Sequence, residues 1–183
     1  IDAQRYKDTQ ITAVDLSSAS LAYAQRKIND LGIDNVDLIQ MDILDIGLLN
    51  KKFDIIECGG VLHHMDSPLE GLKALLAVLK NNCFLKLGLY SELARKDIVN
   101  ARNYICKNNL KPTISDIRRF REDVISGIYP EIKSIQLSPC FYSASECRDL
   151  CFHIQEHRFT ISQLQNILKS NNLNFLGFLL PKE

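Results

Sequence analysis

At 183 residues the chain is long enough for one domain with a buried core, and its apolar fraction of 46% is ordinary for a globular protein. Lys and Arg together number 22, as do Asp and Glu, so the net charge is zero. Such a balance offers no field to draw in DNA, RNA or an acidic membrane and favours small-molecule chemistry. The longest apolar run, "LEGLKALLAVLK", is amphipathic and falls short of the roughly 20 residues a membrane span requires.

Six cysteines (Cys58, Cys83, Cys106, Cys140, Cys147 and Cys151) are scattered without a C-x-x-C pair. That pattern fits a reduced, cytoplasmic protein better than a disulfide framework. Cys147 and Cys151 are four apart on an expected helix with His153 and His157 nearby, but the spacing matches no standard zinc pattern, and no metal site is expected.

In chain order, "IDAQRYKDTQ" reads as the second half of a helix, and "ITAVD" as a strand that ends in Asp15. Ser17 or Ser18 then caps a helix whose Leu21, Ala24, Ile28 and Leu31 recur at helical spacing, and Gly32 ends it. "VDLIQ" is the next strand and delivers Asp42; "FDIIE" follows, then the loop "CGGVLHHMD". Ser67 and Pro68 open a helix with Leu69, Leu72, Leu75, Leu76 and Leu79 on its apolar face, and "CFLKLGLY" is a strand again. This alternation predicts an α/β fold with a mostly parallel sheet and helices on both faces.

From Ser91 to about Leu137 the pattern turns helical, with Thr113 and Asp116 forming a capping-box-like start. The charged run Arg118, Arg119, Arg121, Glu122 and Asp123 reads as a solvated face. Residues 91–150 are expected as a helical insertion or lid within one domain spanning 1–183. A later helix opens with Thr160 and Gln163 as a capping box, and "NFLGFLL" is the last expected strand.

Ligands of open parallel sheets lie beyond the carboxyl ends of the strands. Three successive strands here end in something polar at that edge: Asp15, Asp42, and Glu57 with a glycine pair behind it. A carboxylate at the first position can accept from both ribose hydroxyls of a nucleotide. An Asp at the next can accept from an adenine amino group, while the Ile43 amide donates to a ring nitrogen. Gly59 and Gly60 let the backbone pass close to a ligand.

The stretches "ITAVDLS…YAQRK", "IQMDILD" and "FDIIECGGVLHHMDSPLEGLKALLAVLKNNCFLKLGLYSE" resemble the later motifs of class I S-adenosylmethionine-dependent methyltransferases, most of all the small-molecule and quinone-type branch. The resemblance covers roughly residues 1–92, with a weaker echo in "DLCFHIQEHRFT" and "NLNFLGF". It implies a three-layer Rossmann-like sheet and S-adenosyl-L-methionine as cofactor. It further implies that Asp15, with Leu16 beside it, meets the ribose, that Asp42 and Ile43 hold the adenine, and that the Cys58–Leu62 loop, with Gly59 and Gly60, follows the methionine part. Such enzymes begin with a strand and a glycine-rich turn, D/E-x-G-x-G-x-G, which this sequence does not contain. The expectation is therefore a partial domain that starts just inside the first helix and lacks the first strand and its turn, a truncation that can leave it inactive.

Methyl transfer requires a nucleophile held near the methyl group and, for some acceptors, a base. His63 and His64 are the candidate bases; the alternative is that "LHH" fills a loop before Pro68. Tyr90, His153 and His157 are candidate substrate residues, with His153 and His157 expected on one helix face beside Glu156 and Arg158; packing and solvated ion pairs are the alternatives. The methyl acceptor, expected to be a small molecule, is not readable, since one scaffold serves many acceptors. Two other functions remain open: a short-chain NAD(P)-dependent dehydrogenase using Tyr129 and Lys133 at Y-x-x-x-K spacing, and a non-catalytic or split remnant acting as a binding module.

Overall fold

The computed structural model describes residues 2–153 and 155–179. Two compact units divide the chain: Ile1–Leu62 with Ser67–Leu87, and His63–Asp66 with Gly88–Glu183.

In the first unit a short helix α1 (Asp2–Arg5) ends well before the expected stretch does, and Tyr6–Thr9 form a turn. The side chain of Asn35 ties that turn down by donating to the carbonyls of Ala3, Tyr6 and Thr9. Strand β1 (Ile11–Asp15) and strand β2 (Val36–Gln40) pair in parallel, with Ile11 opposite Val36 and Asp15 opposite Gln40. Parallel neighbours need a crossover, and α2 (Ser18–Asp30) supplies it. Ser17 caps α2 by accepting from the Ser20 amide, and Gly32 follows the helix with φ of +61°. Leu21, Ala24 and Ile28 are half-buried, whereas Leu31 is exposed.

Strand β3 (Phe53–Gly59) pairs with β4 (Leu79–Gly88), and α3 (Pro68–Val78) lies between them in sequence. Proline at its first turn starts α3, and Gly71, Leu72, Leu75 and Val78 are its buried residues. The expected single sheet is thus two two-stranded pieces, because among the described residues no pairing joins β1–β2 to β3–β4. β4 also begins earlier than its apolar run suggests. It follows α3 without a loop, and Asn82 takes a left-handed φ of 57° that asparagine tolerates.

The second unit is helical, as its sequence predicts: α4 (Lys96–Lys107), α5 (Ile114–Ser126), 3₁₀ turns at Pro130–Leu137 and Pro139–Tyr142, α6 (Ala144–Cys151) and α7 (Ile161–Ser170). Thr113 caps α5, and Thr160 with Gln163 forms the full capping box of α7. Ile117, Phe120, Val124, Ile132, Phe141 and Cys147 form the centre of its core. The last expected strand is not formed at 174–179, and Leu180 lies outside the described residues. Phe175, Leu176, Phe178 and Leu179 are exposed and no described strand pairs with them, so alternation of apolar residues had nothing to bind.

Phe120 is fully buried and meets Phe152 edge-on at 5.6 Å. Phe120→Ala should destabilise this unit by about 3–5 kcal/mol, measured as a lowered urea midpoint. A loss below about 1 kcal/mol would contradict the packing described.

Candidate functional site

In the first unit the parallel register delivers both strand ends to one edge. Asp15 closes β1, and its Oδ1 accepts from the Ser17 amide at 2.8 Å. Opposite it, Gln40 donates its side-chain amide to the Leu16 carbonyl at 3.0 Å, and the Met41 amide donates to the Asp15 carbonyl. Asp42 caps the 3₁₀ helix Ile43–Leu49, with its Oδ1 accepting from the Leu44 amide at 2.9 Å. Each carboxylate therefore fixes its own turn with one oxygen. Leu16, beside Asp15, is largely exposed, and Ile43 is half-buried.

The glycine segment differs from the expected loop. β3 continues through Gly59, so Glu57 and Cys58 are strand residues. Glu57 does not end the strand; it faces outward and meets Lys86 at 2.8 Å. Cys58 is buried, which pushes its thiol up and keeps it neutral, although the backbone at Leu62 hydrogen-bonds it and acts the other way. The turn proper is Gly60–Val61, followed by a single 3₁₀ turn at Leu62–His64. Gly60 has φ of +76°, where a side chain is strained. A Cβ at Gly59 or Gly60 would meet nothing within 4 Å, so the strand end opens onto free space.

In the second unit all four histidines of the chain come together. Residues 155–158 form neither helix nor strand, and Phe159 bridges Ser91; the His157 amide donates to the His63 carbonyl at 2.7 Å, and the Phe159 amide to the Tyr90 carbonyl at 2.8 Å. This corrects the helical expectation for His153 and His157, because α6 stops at Cys151 and the following backbone is bonded to distant segments instead. The Gln155 carbonyl lies 2.9 Å from both His64 Nδ1 and His153 Nδ1. A carbonyl only accepts, so both rings donate to it through Nδ1–H. The Gln155 side-chain amide donates to the Met65 carbonyl and to His157 Nε2, both at 3.1 Å.

His63 is 1% exposed, and its Nδ1 donates to the Gly88 carbonyl at 3.3 Å. Its ring stacks on Tyr90 at 3.8 Å and meets His64 edge-on at 4.3 Å; His64 in turn stacks on His153 at 3.8 Å. Burial, aided by the neighbouring His64 charge, lowers the His63 pKa to about 4, so the ring is neutral at pH 7.

Arg95 lies over the Tyr90 ring at 3.9 Å and clamps the Glu156 carboxylate with Nε and Nη2. Arg158 and Arg102 stand 3.7 and 3.9 Å from the same carboxylate, whose side chain is fully buried. Burial alone pushes Glu156 up, but the hydrogen bond from Arg95 and the three guanidinium charges outweigh it and hold the carboxyl below its usual range. Glu156 is thus an arginine partner, not a histidine one. Gln155 and Arg95 escaped sequence reasoning because their partners are 61 to 91 positions away.

The remaining candidates pack. Tyr129 lies 4.7 Å from the Tyr104 ring, whose hydroxyl donates to Asp123 at 2.8 Å. Cys147 and Cys151 are hydrogen-bonded to each other within α6. Among the described residues no three His, Cys, Asp or Glu side chains gather to hold a metal, and no helix is long and apolar enough to cross a membrane.

Residues 1–85 match a protein family described as a methyltransferase domain. The chain is 28% identical over 177 residues to the uncharacterized protein syc1184_c of a Synechococcus strain, covering 92% of this chain and 42% of that protein. PKMT2 from Rickettsia typhi superposes with a TM-score of 0.76 at 21% identity, over 96% of this chain and 36% of that one. Its complex with AdoHcy superposes equally well at 20% identity, over 94% and 36%. The YcgJ protein of Bacillus subtilis shares the fold more loosely, with a TM-score of 0.53 at 17% identity, over 89% of this chain and 52% of that one. The chain therefore spans well under half the length of the Synechococcus and Rickettsia proteins. Residues 1–85 thus match the methyltransferase-domain family, and the chain shares the α/β fold of these solved structures.

Proposed function

We propose that the chain belongs to an enzyme that transfers a methyl group from S-adenosylmethionine to a small-molecule acceptor. The observation that carries this reading is the pair of carboxylates, Asp15 and Asp42, at one edge of parallel strands within the matched segment. The AdoHcy complex of the Rickettsia protein adds support by analogy.

The residues present fit the cofactor. The second oxygen of Asp15 is suited to ribose hydroxyls, and the exposed Leu16 beside it offers apolar surface. Asp42 and the Ile43 amide suit the donor and acceptor edge of adenine. The open space at Gly59 and Gly60, beside the buried Cys58, leaves room for the methionine end. When bound, S-adenosylmethionine supplies an electrophilic methyl group on a sulfonium.

Of the two candidate bases, His64 is the better acceptor of the acceptor's proton, through Nε2. Its Nδ1–H is committed to the Gln155 carbonyl, which fixes tautomer and ring orientation. His63, with a pKa of about 4, binds a proton too weakly at pH 7 for efficient transfer and acts by packing His64 in place. Tyr90, His153 and His157 complete the polar surroundings and are proposed to meet the acceptor. None of the six cysteines is in a disulfide, which supports a reducing, cytoplasmic location. The quinone-type branch is the nearest analogy from motif likeness, and the acceptor's reacting atom is left open by it.

Asp15→Ala should weaken S-adenosylhomocysteine binding by about 1.5–3 kcal/mol, roughly 10- to 150-fold, in calorimetric titration. Unchanged affinity would sink the assignment. His64→Ala should slow turnover while leaving cofactor affinity nearly unchanged; undiminished activity would make the ring structural.

His63 also sets a pH dependence. Its folded pKa of about 4 lies below the ordinary value of about 6.5, so between these values the unfolded chain takes up a proton that the folded chain refuses. The stability it contributes is whole above about pH 6.5 and is lost as pH falls toward about 4. Urea midpoints at about pH 7 and about pH 5 should therefore differ more for the wild type than for His63→Gln. Equal differences would contradict a buried neutral ring.

A further inference from the structure

Two of the six thiols are partners. Cys147 and Cys151 lie four residues apart on α6, and their thiols are hydrogen-bonded to each other. Both are withdrawn from water, at 0% and 1% exposure, in the core that α4, α5, α6 and the 3₁₀ turns build. A disulfide does not suit this spacing. Cβ atoms at i and i+4 of a helix stand about 5–6 Å apart, whereas a disulfide holds them at about 3.5–4.5 Å. α6 would have to unwind for the sulfurs to join. A single ion on the line between the sulfurs bridges the wider spacing and leaves the helix intact.

The second observation comes from α5. The Arg121 guanidinium lies over the Phe141 ring at 5.6 Å, and its charge acts on Cys147. Its Nε is buried and has no hydrogen-bond partner among the described residues. A buried donor without an acceptor is destabilising, and a neutral thiol does little to offset a nearby cation. Two thiolates that hold a monovalent ion carry a single net negative charge. Such a complex supplies the acceptor and the counter-charge that the buried Nε lacks. The donor set then selects the ion. Among the described residues no third His, Cys, Asp or Glu joins the pair. Zinc in a structural site takes four ligands, and calcium and magnesium take oxygen, so none of these fits. Soft thiolates select Cu(I), for which two in line suffice.

We propose that Cys147 and Cys151 form a two-coordinate Cu(I) site beside Arg121, the ion lying between the two hydrogen-bonded sulfurs. Binding replaces two S–H bonds by two Cu–S bonds and releases both protons to solvent, and no oxidation state changes. Cys151 also lines a surface cleft with the exposed Cys106 and with His153, so groups that bind copper lead from solvent to the pair. An entry path of this kind is what a buried metal site requires. The site belongs to the second unit alone, does not depend on the methyl-transfer reading and is tested without cofactor.

The experiment is anaerobic titration of the reduced whole chain with Cu(I) against bicinchoninate, whose coloured complex reports the copper the protein does not hold. The chain should retain one equivalent, and X-ray absorption at the copper edge should show two sulfur ligands and no nitrogen. Combining Cys83→Ser, Cys106→Ser and Cys140→Ser, the three cysteines that are not buried outside this pair, should leave retention unchanged, since Cys58 alone offers one sulfur. Cys147→Ser should abolish retention. Arg121→Gln should weaken it about tenfold or more, and Arg121→Lys should restore part of the loss. If Cys147→Ser does not fold, the copper spectrum of the wild type and the Arg121→Gln affinity decide. No retained equivalent, a shell with nitrogen or a third sulfur, or loss of retention in the triple variant would overturn the proposal. So would retention undiminished by a folded Cys147→Ser or by Arg121→Gln.

Discussion

The parallel register of β1 on β2 is the constraint on which the proposed cofactor edge depends. With Asp15 opposite Gln40, the two strands finish at the same edge, and Asp42 follows two residues after the end of β2. An antiparallel pairing would send Asp15 and Asp42 to opposite ends. The crossover through α2 enforces the parallel sense, and its cap, Ser17, is the residue whose amide fixes Asp15. Strand direction, helix cap and carboxylate orientation are one local unit, so perturbing any of them disturbs the ligand edge.

The second unit is organised differently, around buried polar groups. Glu156 is withdrawn from water and is tolerable there only because Arg95 grips both its oxygens and two further guanidiniums stand close. Immediately before it, Gln155 uses its carbonyl to orient His64 and His153 and its amide to engage His157. Two consecutive residues thus engage three arginines and three of the four histidines. The non-helical backbone at 155–159, bonded to the His63 and Tyr90 carbonyls, makes this possible. A helix there would have put His153 and His157 on one face and left Gln155 unable to serve both.

What could be read from the amino acids follows the range of the interactions. The caps Ser17, Thr113 and Thr160 were legible because their partners lie within three residues, and the strand-end acids because alternation of strands and helices sets their edge. The extent of β3 was not: Glu57 and Cys58 look like a strand end followed by a loop, yet pairing with β4 carries the strand to Gly59. The run at 174–179 has the apolar content of a strand but no described neighbour to bond with. The histidine cluster was half visible. "LHH" and "HIQEH" stand out as polar motifs, but only tertiary hydrogen bonds across about ninety positions show that they belong together.

The central claim is that the edge formed by β1 and β2 holds the adenosine end of the cofactor. Amide hydrogen exchange with and without S-adenosylhomocysteine tests it most directly, because the ligand should bond the Ile43 amide and cover the strand ends. Slowed exchange confined to Leu16–Ser17, Ile43–Leu44 and Gly59–Gly60 is the predicted result. Protection that falls elsewhere, with these amides unchanged at saturating ligand, would contradict the account.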